Sequence, residues 1–236
     1  MTRHGGKLLI AAGGPSLKRF LPKVRQAHRK HPLWCVNQVG NYLISKGIKV
    51  DTVVFCDPQE RMVDIFEPID THYLVSSQCH PKVFEKLRGR NVTLWHHWDG
   101  NEIEPALNEW GGPWVLLHGG CTAALRCFNL GHHIGFREFD YYGLDSSYEK
   151  ETTHSYSQPM RDGRWFEVHF DGKPYRTSFQ MVTQARDFIR LMETAHEHDS
   201  VIKAYGDGLI PAISRKHHKE TQWKTSSQLR RQSARA

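Results

Sequence analysis

The chain has 236 residues, of which 39% are hydrophobic, so it is long enough to bury one sizeable core. Its net charge of +7 would suggest a nucleic-acid partner, but residues 215–236 hold seven Lys or Arg and one Glu, which leaves only +1 for residues 1–214. No run approaches the roughly 18–20 apolar residues of a membrane span, and the N-terminus lacks the apolar core of a signal peptide, so we expect a cytoplasmic protein.

The two parts of the chain also differ in composition. Residues 215–236 are rich in Ser, Gln and Arg and carry a net charge of +6, which is typical of a disordered, solvated tail. The alternative is that this basic tail contacts nucleic acid or another polyanion. We therefore expect one folded domain over residues 1–214, followed by a disordered basic tail over residues 215–236.

Short apolar or β-branched runs alternate with helix candidates along the predicted domain. The predicted strands are 7–12, 33–37, 51–56, 72–76, 91–95, 114–118, 136–142 and 200–204. The predicted helices are 16–30, 39–47, 58–68, 80–88, 120–131 and 177–197. Strands of nearly continuous hydrophobicity are covered on both faces, so this alternation predicts a Rossmann-like, doubly wound α/β fold with a mostly parallel sheet. In such a sheet, ligands bind beyond the carboxyl ends of the strands.

Residues 144–176 interrupt the alternation with a long segment rich in Ser, Thr, Gly and Asp. Within it, the Asp171-Gly172 pair predicts the turn of a small hairpin over residues 168–173. A loop this long inside a compact domain is usually functional or disordered. Because it directly follows an acidic strand end, we predict an active-site lid over residues 144–176, and the alternative is a passive excursion of the chain.

Two predicted strands lead into pairs of glycines. Gly13-Gly14-Pro15-Ser16 follows strand 7–12, and Gly119-Gly120 follows strand 114–118, each ahead of a helix that opens with a hydroxyl residue. Backbone N–H groups and the positive end of a helix dipole attract phosphate at such a turn. The first turn is neither a Walker loop nor a dinucleotide fingerprint, and glycines there can also serve close packing alone. Together the two turns predict a ligand with more than one phosphate or carboxylate.

Polar residues follow three further predicted strands. Asn37 and Gln38 offer amide donors and acceptors that suit a base edge or a ribose hydroxyl, and the alternative is an Asx turn into the next helix. Asp57 could bind Mg²⁺ or accept a substrate hydroxyl, or it could cap the next helix. Asp145 follows strand 136–142 and so places a carboxylate at the same edge of the sheet, in the crevice where ligands bind.

The predicted lid carries three further candidates. His154 could act as a general base near neutral pH, although only its position distinguishes it from the other fifteen histidines. The hydroxyls of Tyr148 and Tyr156 are groups of the kind that can hold a leaving phosphate without a metal ion.

Four of these motifs, in this order, resemble the 6-hydroxymethylpterin diphosphokinase MptE-like family. They are Gly13-Gly14-Pro15-Ser16-Leu17, Asn37-Gln38, Gly119-Gly120 and Gly143-Leu144-Asp145. The pattern is shared with bacterial sialyltransferases that use CMP-sialic acid and with the motility accessory factors that glycosylate flagellin. The resemblance covers most of residues 7–156. It implies a Rossmann-like transferase that binds a nucleotide or diphosphate donor along the strand ends.

The two branches of this resemblance imply different chemistry. The sialyltransferase-like branch implies donor binding by Asn37 and Gln38, phosphate binding by Tyr148 or Tyr156, and deprotonation of the acceptor hydroxyl by His154. The pterin branch implies pyrophosphate transfer from ATP to a hydroxymethyl group.

In the pterin branch, Mg²⁺ would be held by carboxylates such as Asp57 and Asp145.

We therefore predict a transferase that moves a group from a nucleotide-type donor to a hydroxyl acceptor, with His154 and Asp145 as catalytic residues. Glycosyl transfer is the first choice and diphosphate transfer the second. The alternative from another class is a non-catalytic protein that docks on nucleic acid through its basic tail.

Overall fold

The computed structural model describes residues 5–98, 100, 103–150, 152–156 and 164–219. Its strands are β1 (Lys7–Ala11), β2 (Leu33–Val36), β3 (Thr52–Phe55), β4 (His72–Ser76), β5 (Asn91–His97), β6 (Leu116–Leu117), β7 (Glu138–Tyr142), β8 (Trp165–Phe170), β9 (Lys173–Ser178) and β10 (Val201–Tyr205). Its helices are α1 (Leu17–His28), α2 (Val39–Ser45), α3 (Pro81–Lys86), α4 (Ile103–Trp110), α5 (Ala123–His133), α6 (Phe179–Glu197) and α7 (209–219).

Eight of the strands form one sheet in the order β10-β7-β1-β2-β3-β4-β5-β6, and every neighbouring pair in it is parallel. The central strand β1 is apolar on both faces, and its residues Leu8, Leu9, Ile10 and Ala11 are fully buried. A strand of this kind is stable only with a layer of helices on each side. The predicted doubly wound α/β fold is confirmed.

The direction of the chain reverses at β1. From β1 the strands run outward to β6, and α5 then carries the chain back across the sheet to β7 on the other side of β1. Because such crossovers are right-handed, α1 and α2 cover one face of the sheet, whereas α5 and α6 cover the other. Helix α5 contacts β1, β2, β3 and α6, and α1 contacts β1 and β7. The crevice of the fold therefore opens between the carboxyl ends of β1 and β7.

The local elements follow the predictions, with a few differences. The hairpin forms as β8 and β9, and Asp171 and Gly172 at its turn have φ angles of 51° and 75°, as a type I′ turn requires. The predicted helix over 58–68 is instead a 3-10 turn, Glu60–Asp64, in a segment bounded by prolines. Helices α4 and α7 were not predicted.

The basic tail is described only at its beginning. Residues 215–219 continue α7, and residues 220–236 lie outside the described residues. The predicted domain boundary at residue 214 therefore falls inside a helix, and the predicted disorder of the remaining tail stays a prediction. Among the described helices, none is both long and apolar enough to cross a bilayer.

We expect Gly131→Ala to destabilise the fold. Gly131 lies where α5 crosses β1 and β7, and a Cβ there would lie 2.7 Å from Leu8 Cδ2 and 2.8 Å from Phe139 Cε1. Overpacking of this kind costs about 1–3 kcal/mol, which outweighs the gain of about 1 kcal/mol from replacing a helical glycine. Urea unfolding should show a lower free energy of unfolding for Gly131→Ala. The exposed His133→Ala in the same helix should stay within about 0.5 kcal/mol of wild type. Equal stability of Gly131→Ala and wild type would contradict this packing.

Candidate active-site crevice

A cavity of about 230 Å³ lies at the carboxyl ends of β1, β2 and β7, and we call it the crevice cavity. Its walls are the β1–α1 turn, the end of β2, the first turn of α5, the end of β7, two residues of α6 and six residues of the predicted lid, four of which directly follow β7. Five of the predicted site residues line it: Gly13, Gly14, Asn37, Asp145 and His154. The structure thus brings together residues that are up to 141 positions apart.

A second cavity, of about 550 Å³, lies beside the first between α1, the β8–β9 hairpin and the start of α7. We call it the side cavity. Pro15, Ser16 and Tyr148 line this side cavity and not the crevice cavity. Asp145 and Ser147 line both, so the two spaces adjoin.

The glycines of the β1–α1 turn allow this turn to touch the end of β7. The Gly14 N–H donates to the Gly143 carbonyl at 2.7 Å, and a Cβ on Gly14 would overlap that oxygen and the Asp145 carboxylate. A Cβ on Gly13 would overlap the hydroxyl of Tyr156. Both glycines are therefore needed for close approach of the chain to itself.

A carboxylate of the protein already occupies the start of α1. The Ser16 N–H donates to Asp145 Oδ2 at 2.9 Å, so the positive end of the helix dipole meets the charge of Asp145. Asp145 is only 3% exposed, and this burial raises the pKa of its carboxyl, although the Ser16 N–H opposes the shift. A phosphate at this helix start would have to compete with Asp145.

The second glycine pair is capped in the same way. The Cys121 N–H donates to Asp187 Oδ2 at 2.9 Å, and a Cβ on Gly120 would lie 3.1 Å from Asp187 Cβ. Gly119 and Gly120 do not line the crevice cavity. Both predicted phosphate turns are thus occupied at one N–H by a carboxylate from a distant part of the chain.

The sequence predicted a phosphate site at the start of the helix that became α5, but it named Gly119 and Gly120 and not the residues of the first turn. Thr122, Ala123 and Ala124 line the crevice cavity, and the N–H groups of a first helical turn have no acceptor within the helix. The small alanine side chains leave this backbone accessible to a ligand. The available signal was the Thr-Ala-Ala sequence directly after the glycine pair.

A chain of side-chain hydrogen bonds holds the wall of the cavity next to α5. The Ser146 hydroxyl donates to Gln184 Oε1 at 2.6 Å, and Gln184 Nε2 donates to Thr122 Oγ1 at 2.9 Å. This chain links the end of β7, α6 and the start of α5. It keeps Thr122 in the extended conformation in which it precedes the helix.

His154 lies in the crevice cavity because the lid is pinned to the glycine turn. The Ser155 N–H donates to the Gly13 carbonyl at 2.9 Å, and its hydroxyl donates to the Gly14 carbonyl at 2.7 Å. His154 Nδ1 is 2.8 Å from Thr153 Oγ1. Burial lowers the pKa of the imidazole below its usual 6.5, so His154 is neutral at pH 7.

Tyr148 and Tyr156, the two tyrosines predicted to bind phosphate, lie apart from each other. Tyr156 packs against Gly13 and Tyr42, its hydroxyl pairs with the Gln38 side chain, and burial raises its pKa to about 12. Tyr148 lies in the side cavity, where its N–H donates to the Arg176 carbonyl at 2.8 Å. The two hydroxyls that the resemblance offered for one phosphate therefore face different surroundings.

Asn37 presents an unused acceptor beside the crevice cavity. Its φ angle is 50°, a left-handed conformation that asparagine tolerates, and its N–H donates to the Val54 carbonyl at 3.2 Å. Its Oδ1 is buried and finds no hydrogen-bond partner among the described residues. The Asx turn that the sequence allowed is therefore not formed.

Asp57 lies outside both cavities. Its Oδ1 accepts from the Gln59 N–H at 3.0 Å, ahead of the 3-10 turn. It follows β3, whereas Asp145 follows β7 three strands away, a separation of about 14 Å at the usual strand spacing. The structure does not bring these two predicted metal ligands together. In the described part of the chain, no group of three or more His, Cys, Asp or Glu could hold a metal ion.

A parallel, doubly wound sheet with a cavity at its point of reversal defines a Rossmann-like protein. Residues 2–151 match the family model of 6-hydroxymethylpterin diphosphokinase MptE-like proteins, so the chain belongs to this family, as predicted. A comparison with curated protein sequences gave no significant match.

The structure is also similar to that of the MAf glycosyltransferase from Magnetospirillum magneticum AMB-1. The TM-score is 0.64 at 15% sequence identity, and the match covers 88% of this chain. The chain spans only 33% of that glycosyltransferase. At this identity the likeness shows a shared fold.

We expect Asp145→Asn to change how stability depends on pH. Because the folded-state pKa of Asp145 is raised above the unfolded value of about 3.9, the wild-type carboxyl favours folding below that value and loses this contribution as pH rises through the folded-state pKa. The stability of Asp145→Asn relative to wild type should therefore increase as pH rises from 3 to 7. Urea unfolding across this range measures it, with the exposed Asp64→Asn as the matched control. A difference that does not change with pH would contradict the burial of an ionised Asp145.

Proposed function

We propose that the chain is a transferase that moves a group from a phosphorylated, nucleotide-linked donor to a hydroxyl acceptor, and that the reaction is glycosyl transfer. One observation carries the proposal: a half-buried His154, neutral at pH 7, and the first turn of α5 line the same cavity at the point where the sheet reverses. Membership of a family named for a diphosphokinase and a fold shared with a glycosyltransferase support it.

The donor phosphate binds at the first turn of α5. The N–H groups of Ala123 and Ala124 provide hydrogen bonds and the positive end of the helix dipole. The N–H groups of Ser16, before α1, and of Cys121, before α5, already donate to carboxylates of the protein. The buried Oδ1 of Asn37 accepts a hydrogen bond from an amino or hydroxyl group of the nucleoside.

The lid must move for the donor to enter. A cavity of about 230 Å³ is smaller than the 300–1,000 Å³ typical of ligand pockets. Residues 153–156 lie over this cavity and are hydrogen-bonded to the β1–α1 turn. The Ser155 hydrogen bonds to Gly13 and Gly14 are the contacts that break when the lid opens. Reclosure brings His154 back over the bound donor and excludes water.

His154 takes the proton of the acceptor hydroxyl. In the tautomer whose Nδ1–H donates to Thr153 Oγ1, Nε2 carries the lone pair that accepts this proton. The acceptor oxygen forms a bond to the anomeric carbon of the donor as the bond from that carbon to the phosphate oxygen breaks. The phosphate leaves with the bonding electrons, and the N–H groups of the first turn of α5 stabilise its charge.

Diphosphate transfer from ATP is the second candidate, and the name of the family favours it. This reaction needs Mg²⁺ to neutralise the phosphates. The carboxylates available here fit such an ion poorly, because Asp145 is bound to the Ser16 N–H and Asp57 lies outside both cavities. Stabilisation of the protein by ATP with Mg²⁺, and not by CMP, in a thermal-shift assay would favour this second candidate.

We expect His154→Gln to lower kcat by about 10²- to 10⁴-fold, the usual contribution of a general base, with little change in donor affinity. Because burial lowers the pKa of His154 below its usual 6.5, wild-type kcat should fall to half of its plateau value only at a pH below 6.5. Steady-state kinetics with a nucleotide sugar and an acceptor measure both effects. The exposed His169→Gln is the control and should behave as wild type. Full turnover by His154→Gln would exclude the role.

We expect Asn37→Asp to weaken nucleotide binding. Aspartate has the same shape and also tolerates the left-handed conformation, but it places a negative charge beside the proposed phosphate site. Titration calorimetry with CMP should show an affinity at least about tenfold lower, which corresponds to about 1.4 kcal/mol. The exposed Asn91→Asp is the matched control. Unchanged affinity in Asn37→Asp would place the nucleotide elsewhere.

A further inference from the structure

The side cavity is lined by an unusual number of cations. Arg19, Lys173, Arg176 and Arg215 surround its 550 Å³, and they come from α1, the β8–β9 hairpin and α7. Three carboxylates also line the cavity: Asp145, Glu149 and Asp207. Whether the cavity attracts anions depends on which of these charges are already paired.

Arg19 and its neighbour Lys18 pair with the exposed carboxylates. Arg19 contacts Glu149 through Nη1 and Asp207 through Nη2, the latter at 2.9 Å, and Lys18 Nζ lies 3.5 Å from Glu149 Oε2. The third carboxylate, Asp145, accepts from the Ser16 N–H. These contacts leave Lys173 and Arg215 without these acids.

Lys173 and Arg215 form no ion pair with any described residue. Lys173 is exposed directly after the hairpin turn, and Arg215 donates from Nη1 to the Gly206 carbonyl at 2.7 Å. This hydrogen bond holds the guanidinium against the β10–α7 turn and leaves its remaining N–H groups for a ligand. Two cations therefore face the cavity with uncompensated charge.

Arg176 is held in place as well. Its guanidinium carbon lies 3.8 Å from the ring centre of Trp165 and 5.5 Å from that of Tyr148. Stacking on aromatic rings fixes the planar fork of an arginine, and this fork matches the geometry of a carboxylate or phosphate. Arg176 Nη1 also donates to the Lys150 carbonyl at 3.5 Å, so this residue forms part of the fixed wall of the side cavity.

The floor of the side cavity holds two buried polar side chains. Ser16 and Asp145 are 1% and 3% exposed, and the Ser16 side chain contacts the Asp145 carboxylate. The β10–α7 turn lies directly over them, since a Cβ on Gly206 would be 2.6 Å from Ser16 Oγ.

We propose that the side cavity binds an oxyanion, a carboxylate or a phosphate, of the acceptor substrate. Lys173 and Arg215 supply the charge, and Asp145 and Ser147 form the wall that it shares with the crevice cavity. An acceptor held here lies next to the cavity that contains His154. The term acceptor rests on the proposed function, whereas binding of the anion does not.

Two probes and four variants of the full chain test this site. Calorimetry at low salt measures binding of citrate, a carboxylate probe, and of inorganic pyrophosphate, a phosphate probe. Lys173→Gln and Arg215→Gln should each lower the affinity for the preferred probe about tenfold, because each removes a charge-assisted contact. Lys203→Gln, an exposed cation on β10, should bind as wild type. Thermal melts confirm that each variant is folded.

Asn37→Asp separates this site from the donor site. It should change the affinity for either probe by less than about threefold, since Asn37 lines the crevice cavity and not the side cavity. Unchanged binding in both Lys173→Gln and Arg215→Gln, or a loss confined to Asn37→Asp, overturns the proposal. If no nucleotide binds the protein but Lys173→Gln still loses citrate or pyrophosphate, the proposed donor fails and the anion site stands.

Discussion

The contact between the β1–α1 turn and the end of β7 determines how the rest of this site is arranged. Gly14 lies against the Gly143 carbonyl, and the Asp145 carboxylate accepts from the Ser16 N–H. This contact joins the two strands between which the direction of the sheet reverses. Any larger side chain at Gly14 would separate them, and the crevice would lose one of its walls. The glycine is therefore required by the approach of two protein segments, independently of any ligand.

The same contact decides where an anion can bind. A carboxylate of the protein accepts a backbone hydrogen bond at the start of each of two helices. Asp145 accepts from the Ser16 N–H before α1, and Asp187 accepts from the Cys121 N–H before α5. Each stabilises its helix through the dipole, and each repels a second negative charge from the same N–H groups. The remaining attraction for anions lies one residue further along, at Thr122 to Ala124, and in the cationic side cavity. An internal acid thus separates two anion-attracting spaces that share a wall.

The sequence was sufficient to predict the sheet because its strands are buried on both faces. A run such as Leu8 to Ala11 has no polar face in any register, and only a central parallel strand satisfies it. Helices α4 and α7 were harder to predict. Pro105 lies within the first turns of α4 and Pro211 within those of α7, positions that a helix tolerates but that suggest a break when the sequence is taken alone.

The site was only partly predictable, for a physical reason. Residues that follow strands must meet at one edge of the sheet, so Gly13, Asn37 and Asp145 could be grouped from their positions. Whether a helix start is free depends on a partner far along the chain. Asp145 is 129 residues from Ser16, and Asp187 is 66 residues from Cys121. Local patterns contain no information about such pairs, and so they could not separate Tyr148 from Tyr156 either.

The predicted lid links the glycine turn to the proposed catalytic base. Ser155 binds the carbonyls of Gly13 and Gly14, the residues whose lack of side chains lets β1 approach β7. His154 precedes it by one residue, so the position of the proposed base is set by the backbone of the glycine turn. Tyr156, on the other side of Ser155, fills the space above Gly13 and pairs with Gln38. In the proposed function, opening of this lid would therefore remove the base, expose the glycine turn and release Gln38 in one motion, which would couple donor entry to assembly of the site.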